Sequence, residues 1–189
     1  MIKIIPYRSE WPQEFASLGT QIRQVLGDLA ERIDHIGSTS VPGLAAKDII
    51  DIQITVHDLD DTIQSALERI GYSRLEGIWQ DHVPPGAPET ESQWTKWMFR
   101  PAAGQRLANL HVRIAGHLNQ RYPLLFRDYL RSHPGVTEAY AQVKQALATY
   151  HPDDAEAYYD VKDPVCDIIM GGAEEWAAVT NWAQGPSDC

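Results

Sequence analysis

Cysteine is scarce in this sequence, with two residues among 189, Cys166 and Cys189. Two cysteines cannot form a disulfide framework or a cysteine-based zinc site. Basic residues are also few, because 16 Lys and Arg stand against 26 Asp and Glu, and the formal net charge is −10. This balance argues against a general binder of nucleic acid or of acidic membranes, although a local basic patch is compatible with it.

Long apolar runs are missing as well. None approaches the roughly 18 to 20 residues that a membrane helix needs, and the opening Met1-Ile2-Lys3 does not begin a signal peptide. The six tryptophans lack the interleaved basic residues of an extended nucleic-acid surface. We therefore expect a cytoplasmic protein with no membrane partner. The length predicts one domain over 1–189, with 170–189 as a peripheral C-terminal tail.

Hydrophobic spacing predicts the order of helices and strands. Helices are predicted over 11–29, 60–71, 119–133, 136–150 and from 153 onward, with a kink or restart at Pro164 and a further short helix around Trp176 and Trp182. Strands are predicted over 32–36, 49–56, 93–100 and 107–115, and an exposed loop over the proline-containing segment 80–93. The apolar stripe of the 136–150 helix is predicted to consist of Val136, Ala139, Tyr140, Val143, Leu147 and Tyr150. This order predicts an α/β (α+β) fold, a mixed β-sheet flanked by helices with a helical C-terminal half.

The most informative segment is the turn-rich run Gly37-Ser38-Thr39-Ser40-Val41-Pro42-Gly43, followed by Lys47. Small and hydroxyl residues after a strand leave backbone N–H groups and hydroxyls free to hold a phosphate, and Lys47 can add a charge. The spacing is not that of a P-loop, because Leu44 stands where the lysine should be. The alternative is a tight connection between two strands whose hydroxyls satisfy the backbone of the turn.

The run HIGSTSVPGLAAKDIIDI at 35–52 resembles the GrpB family, as do the earlier WPQEF and the later LHVR and LLFRDYLRSHP. The resemblance extends from Tyr7 to Ile169, with Asp48 in place of the family's usual proline after the Ala-Lys pair. The GrpB family belongs to the nucleotidyltransferase superfamily. Similar domains occur alone or appended to dephospho-CoA kinase in some bacteria.

The resemblance implies a specific chemistry. Enzymes of that superfamily hold a nucleoside triphosphate at a Gly-Ser loop, and carboxylates on the following strands bind two Mg²⁺ ions. Gly37-Ser38 matches the loop and Asp51 the first carboxylate, which implies Asp51 as a catalytic residue and Mg²⁺ ligand. The second carboxylate position is Gln53, and neither later strand offers an Asp or Glu. One carboxylate in place of three disfavours ordinary two-metal nucleotidyl transfer.

Two predicted strands each carry a polar face. These faces consist of Asp51, Gln53 and Thr55 on the first strand and Asn109, His111 and Arg113 on the second. If the strands are neighbours, the faces line a shared cleft that ends at the Ser-Thr-Ser loop. His111 would then serve as an acid, a base or a single-metal ligand, and Arg113 as a bidentate anion clamp. The alternative is a solvated sheet face with cross-strand hydrogen bonds.

We therefore predict binding of a nucleotide or another phosphorylated small molecule, with Mg²⁺-dependent transfer through Asp51 and His111 as an option. The predicted phosphate-binding residues are Gly37, Ser38, Thr39, Ser40, Lys47, Gln53 and Arg113. One alternative is a catalytically inactive nucleotidyltransferase fold used as an interaction or folding-accessory module. Another is a single-metal hydrolase built on Asp51 and His111. Whether the protein is an enzyme stays open, as do the role of Lys162 and the choice between an ion pair and a phosphate contact for Arg131.

Overall fold

A computed structural model describes residues 1–88 and 90–189. The helices are α1 (Trp11–Leu26), α2 (Asp61–Glu68), α3 (Leu118–Ser132), α4 (Pro134–Tyr150) and α5 (Ala155–Thr180). The strands are β1 (Arg32–Ile36), β2 (Ile50–Val56), β3 (Tyr72–Arg74), β4 (Trp97–Pro101) and β5 (Ala108–Ile114). The predicted fold class is confirmed: helices flank a mixed sheet and dominate the C-terminal half. Among residues 1–88 and 90–189, we find no helix whose length and hydropathy would let it span a bilayer.

The strands form one sheet in the order β1-β2-β5-β4-β3. β2 and β5 are parallel neighbours, and the other pairs are antiparallel. Asp51 lies opposite Asn109, and Gln53 lies opposite His111. The two polar strand faces are therefore adjacent, as the cleft hypothesis required.

The apolar face of the sheet packs under the first two helices. Ile52, Ile54 and Leu110 are fully buried there, because period-two alternation points all three to the same side. Trp11 of α1 and Leu67 of α2 belong to the same cluster. This is the main hydrophobic core, and it lies opposite the polar face.

The last three helices pack on the polar side of the sheet around two smaller apolar clusters. One contains Leu44 and Tyr140, and the other contains Leu125 and Met170. These helices cover only part of the polar face, which leaves room for a cleft.

The C-terminal half ends in one helix, where a restart at Pro164 and a further short helix were predicted. Pro164 does not restart the helix, because α5 runs unbroken from Ala155 to Thr180, and Trp176 belongs to α5 rather than to a further short helix. Pro164 removes one helical N–H, but Asp160, whose carbonyl loses its partner, is exposed to solvent. Asp154 caps this helix by accepting a hydrogen bond from the Ala157 N–H at 2.9 Å.

The short strand β3 was not predicted, because three residues carry too little periodicity to indicate a strand.

The chain ends against the free edge of β1. The Cys189 N–H donates to the carbonyl of Ile33 at 3.1 Å, and the Ile33 N–H donates to Ser187 Oγ at 2.9 Å. Asp188 accepts a hydrogen bond from the His35 N–H at 2.9 Å. The last residues of the predicted tail thus satisfy backbone groups of an edge strand.

Candidate functional site

A cleft of about 690 Å³ lies between the polar face of the sheet and helices α3, α4 and α5. Its sheet side presents Asp51 and His111, and the loop after β1 presents Gly37 and Ser38. Thr39 and Lys47 also line the cleft. The structure therefore brings together six of the nine predicted site residues.

Gly37 allows the loop to approach the strand that carries Asp51. Its φ of +68° and ψ of −173° lie in a region that side-chain-bearing residues rarely adopt. A Cβ atom at this position would lie 2.5 Å from Asp51 Oδ2. Glycine is thus required both by its backbone conformation and by the neighbouring carboxylate.

Two of the three loop hydroxyls serve the loop itself. The Ser40 hydroxyl donates to the Gly37 carbonyl at 2.6 Å, and the Thr39 hydroxyl pairs with His35 Nε2 at 3.0 Å. Arg131 holds the loop from outside the cleft by donating to the Ser40 carbonyl from Nε and Nη2. Arg131 thus supports the predicted phosphate loop without lining the cleft. Its Nη1 also lies 3.7 Å from Asp128 Oδ1, which is the predicted ion pair. Ser40, although predicted to bind phosphate, does not line the cleft.

Ser38 keeps its hydroxyl in the cleft, where it accepts a hydrogen bond from Lys144 Nζ at 2.8 Å. Lys144 also donates to the Ala45 carbonyl at 2.6 Å. Its side chain is 2% exposed and belongs to α4. Burial lowers the pKa of this amine from its ordinary value to about 7, and the positive charge of Lys162 acts in the same direction.

Sequence reasoning missed Lys144, although a signal was present. The buried residues of α4 are Thr137, Tyr140, Lys144 and Leu147. Ala139 and Tyr150, which were assigned to the apolar stripe, are exposed. Lys144 lies four residues after Tyr140 and three before Leu147, so helical spacing placed a lysine on the buried face.

Asp51 and His111 lie side by side on the sheet. His111 Nε2 is 3.6 Å from Asp51 Oδ1, which also accepts a hydrogen bond from Asn109 Nδ2 at 2.8 Å. Burial lowers the pKa of His111 despite the opposing interaction with Asp51, and the nearby positive charges of Arg113 and Lys96 lower it further. Its Nδ1 is buried without a hydrogen-bond partner within the described part of the chain.

Arg113 and Gln53 do not line the cleft, contrary to prediction. Arg113 is 5% exposed and donates to both carboxylate oxygens of Asp81, at 2.8 and 2.9 Å. It also donates to Gln53 Oε1 at 2.8 Å, and Gln53 Nε2 donates to the Gln120 carbonyl at 2.9 Å. Arg113 therefore binds the carboxylate of Asp81 and not an anionic ligand. The prediction that 80–93 is an exposed loop is wrong at Asp81, which is half-buried beneath these contacts.

The cleft is rich in cations within an acidic protein. Its basic lining residues are Lys47, Lys96, Arg100, Lys144 and Lys162, against the acidic residues Asp51 and Asp163. The chain has five lysines, and all but Lys3 are in this set. A surplus of positive charge in one cavity favours an anionic ligand.

Tyrosine rings stand beside these cations. The ammonium group of Lys47 lies 4.3 Å from the centroid of the Tyr158 ring and 4.7 Å from that of Tyr159. Tyr122 and Phe126 of α3 stack with their centroids 6.2 Å apart and also face the cleft. Aromatic faces of this kind can pack against a planar group of a ligand.

The donors around Asp51 do not fit a two-metal centre. Both ends of the Gln53 amide are hydrogen-bonded within the protein and the residue is fully buried, so its carbonyl oxygen is not presented to a metal ion in the cleft. Asp48, the other carboxylate near the start of β2, does not line the cleft: it accepts a hydrogen bond from Trp11 Nε1 at 2.8 Å and pairs with Arg106. Across residues 1–88 and 90–189, no group of three or more His, Cys, Asp or Glu side chains is placed to hold a metal ion. A single Mg²⁺ ion at Asp51 stays a prediction.

Together, these features define the class of protein: an α/β domain with a mixed sheet and a cationic cleft. Residues 1–171 match the model of the GrpB protein family, and the chain belongs to that family. The crystal structure of conserved protein GrpB from Enterococcus faecalis superposes with a TM-score of 0.75 at 29% identity, covering 92% of this chain and 99% of that chain.

Two relatives extend the comparison. UPF0157 protein PA4798 of Pseudomonas aeruginosa is 38% identical over 175 residues, which cover 91% of this chain and 67% of that protein. A dephospho-CoA kinase of Mycolicibacterium paratuberculosis is 34% identical over 195 residues, which cover 96% of this chain and 48% of that protein. This chain thus spans about half the length of the dephospho-CoA kinases that it matches.

Proposed function

We propose that the cleft binds a small phosphorylated molecule of the nucleotide class, with its phosphate beside Ser38. This proposal rests on the charge of the cleft. Five basic residues line it against two acidic residues, although the chain as a whole has a net charge of −10. Anions bind where cations and hydrogen-bond donors converge in a partly desolvated site. Lys47 and Lys144 supply ammonium groups, and Ser38 supplies a hydroxyl.

The aromatic lining supports a ligand with a planar group. Tyr159 lies beside Lys47 and its ring is exposed, so it can pack against a base while Lys47 contacts a phosphate. The sequence resemblance to nucleotidyltransferases points to the same class of ligand. The name dephospho-CoA kinase belongs to longer relatives, and it makes coenzyme A precursors sensible test ligands.

Mg²⁺-dependent nucleotidyl or phosphoryl transfer is the second candidate, and Asp51 is the residue on which it depends. We rank it below binding because Gln53 replaces a carboxylate and is already hydrogen-bonded within the protein. Binding without catalysis is also what the inactive-module hypothesis allows. A single-metal hydrolase would need a third ligand beyond Asp51 and His111. The cytoplasmic location stays a prediction.

Ligand binding is tested by thermal shift and calorimetry with nucleoside mono-, di- and triphosphates and coenzyme A precursors. Lys47→Gln should weaken binding of any stabilising ligand tenfold or more, since a hydrogen bond to a charged group contributes about 1.5–3 kcal/mol. Arg69→Gln is the matched control, because it removes one positive charge from an exposed site at the end of α2. Equal effects of the two substitutions, or no ligand that stabilises the protein, would refute the proposal.

Asp51→Asn separates binding from metal-dependent transfer. If the ligand binds through its phosphate and the cations, this variant should bind at least as tightly as the wild type, with or without Mg²⁺, because it removes a negative charge from the cleft. If the ligand binds as a Mg²⁺ complex, the Mg²⁺-dependent part of the affinity should disappear. Asparagine keeps an oxygen that can accept the hydrogen bond from Asn109, so the local geometry is preserved.

A further inference from the structure

The side-chain amine of Lys144 is buried among neutral partners. Its Nζ donates to Ser38 Oγ and to the Ala45 carbonyl, and it lies 4.6 Å from the centroid of the Tyr140 ring. All three partners are neutral. Among the ion pairs of the described residues, none places a carboxylate within 4.0 Å of this nitrogen.

The charged and titratable groups that face Lys144 come from several elements. They are Tyr140 on its own helix, Asp51 in β2, Lys47 in the connection before β2, and Lys162 and Cys166 in α5. Burial disfavours the charged amine most, followed by the charge of Lys162. Cys166 and Asp51 favour the charged amine, and Lys47 disfavours it by a smaller amount. The pKa of Lys144 falls to about 7 as a result, so the group is poised between charged and neutral near physiological pH.

We propose that Lys144 is the phosphate receptor of the cleft, and that it takes up a proton when a ligand bearing a terminal phosphate monoester binds. This inference rests on the proposed function of the cleft. A phosphate oxygen near Nζ supplies the negative charge that the protein itself does not place there. Only the protonated amine can donate to the phosphate while keeping its bonds to Ser38 and Ala45, because three N–H donors are then available.

The charges of the cleft favour a dianion over a monoanion. Lys96 is paired with Asp81 at 2.6 Å, and Lys162 with Asp163 at 3.0 Å. Lys47 and Lys144, by contrast, take part in no ion pair of the described chain, and their cationic charge is available to a ligand. A phosphate monoester carries about two negative charges at pH 7, whereas a phosphodiester carries one.

The experiment follows the lysine side chains directly. With five lysines in the chain, ¹³C-lysine labelling gives five Cε signals to follow by NMR from pH 5.5 to 10. Lys144→Met assigns the Lys144 signal by its loss, and Lys144→Arg assigns it if the first variant does not fold. Phenyl phosphate is the monoester probe, and methyl phenyl phosphate is the matched diester.

We expect the Lys144 signal to titrate near pH 7 in the free protein and at least one pH unit higher with saturating phenyl phosphate. The affinity for phenyl phosphate should fall by about four- to eightfold between pH 6.5 and 8, because the neutral amine binds poorly. The diester should bind at least tenfold more weakly at pH 6.5.

An unchanged Lys144 midpoint in the presence of bound phenyl phosphate would overturn the proton uptake and leave the proposed function standing. Equal affinities for monoester and diester would overturn the assignment of the ligand class. If neither probe shifts the signals of Lys47, Lys144 or Lys162, and no compound of the nucleotide panel binds, both the inference and the proposed function fail.

Discussion

The two ends of the polar sheet face carry similar side chains but have different surroundings. At one end, Asp51 and His111 open into the cleft. At the other, Arg113 is enclosed by Asp81 and Gln53, with α3 packed above it. Strand alternation points a polar side chain to a given face. Whether that side chain is available to a ligand depends on which elements cover it.

The two ends also differ in how their charges are compensated. Asp81 accepts hydrogen bonds from Arg113, Lys96 and Asn119, so the closed end is a paired network. The open end holds Lys144, whose partners are neutral. We therefore expect the closed end to contribute mainly to stability, whereas the open end is where we propose ligand binding. Three comparisons of variants test this division.

The largest effect should come from the carboxylate of the closed end. Asp81→Asn leaves the buried cations Arg113 and Lys96 without a countercharge, which should lower the free energy of unfolding by about 3–5 kcal/mol. Asp51→Asn at the open end should lower it by about 1 kcal/mol or less, because Asp51 is more exposed and makes one close hydrogen bond. Urea unfolding of both variants measures the contrast, and equal losses would contradict it.

A smaller effect is expected where the loop meets Asp51. Gly37→Ala should destabilise the protein by about 1–3 kcal/mol, because alanine is strained at this backbone conformation and its Cβ would collide with the carboxylate. Gly43→Ala is the matched control: its φ is also positive, at +82°, but no atom lies within 4 Å of the added Cβ. If the collision matters, the loss at Gly37 exceeds that at Gly43. It should also shrink in an Asp51→Ala background.

The third effect is a difference in how stability depends on pH, and it is smallest near pH 7, where the slope begins. The folded-state pKa of Lys144 is about 7 and an unfolded lysine titrates near 10.5, so unfolding takes up a proton at this residue between these pH values. Stability therefore rises with pH in this window, by about 1.4 kcal/mol per pH unit from Lys144 alone. Urea unfolding from pH 7.5 to 9.5 should show this extra slope in the wild type relative to Lys144→Met. Parallel curves would show that Lys144 is charged in the folded protein.

Local patterns predicted the parts of the site that lie close together in sequence. The loop at 37–40 and the strand residue Asp51 were both identified, because a glycine-serine turn and a period-two strand are visible in a few residues. Pro164 shows where local rules fail. A proline signals a helix end, yet α5 continues because the freed carbonyl lies on its solvent side.

By itself, the sequence determined the alternation of β2 and β5, the apolar face beneath α1 and the membership in the GrpB family. Tertiary structure alone decided that Arg113 is taken by Asp81, 32 residues earlier, and that Lys144 reaches Ser38 across 106 residues. The physical reason is that the role of a charged side chain depends on the groups packed against it. Those groups come from segments that sequence spacing does not connect.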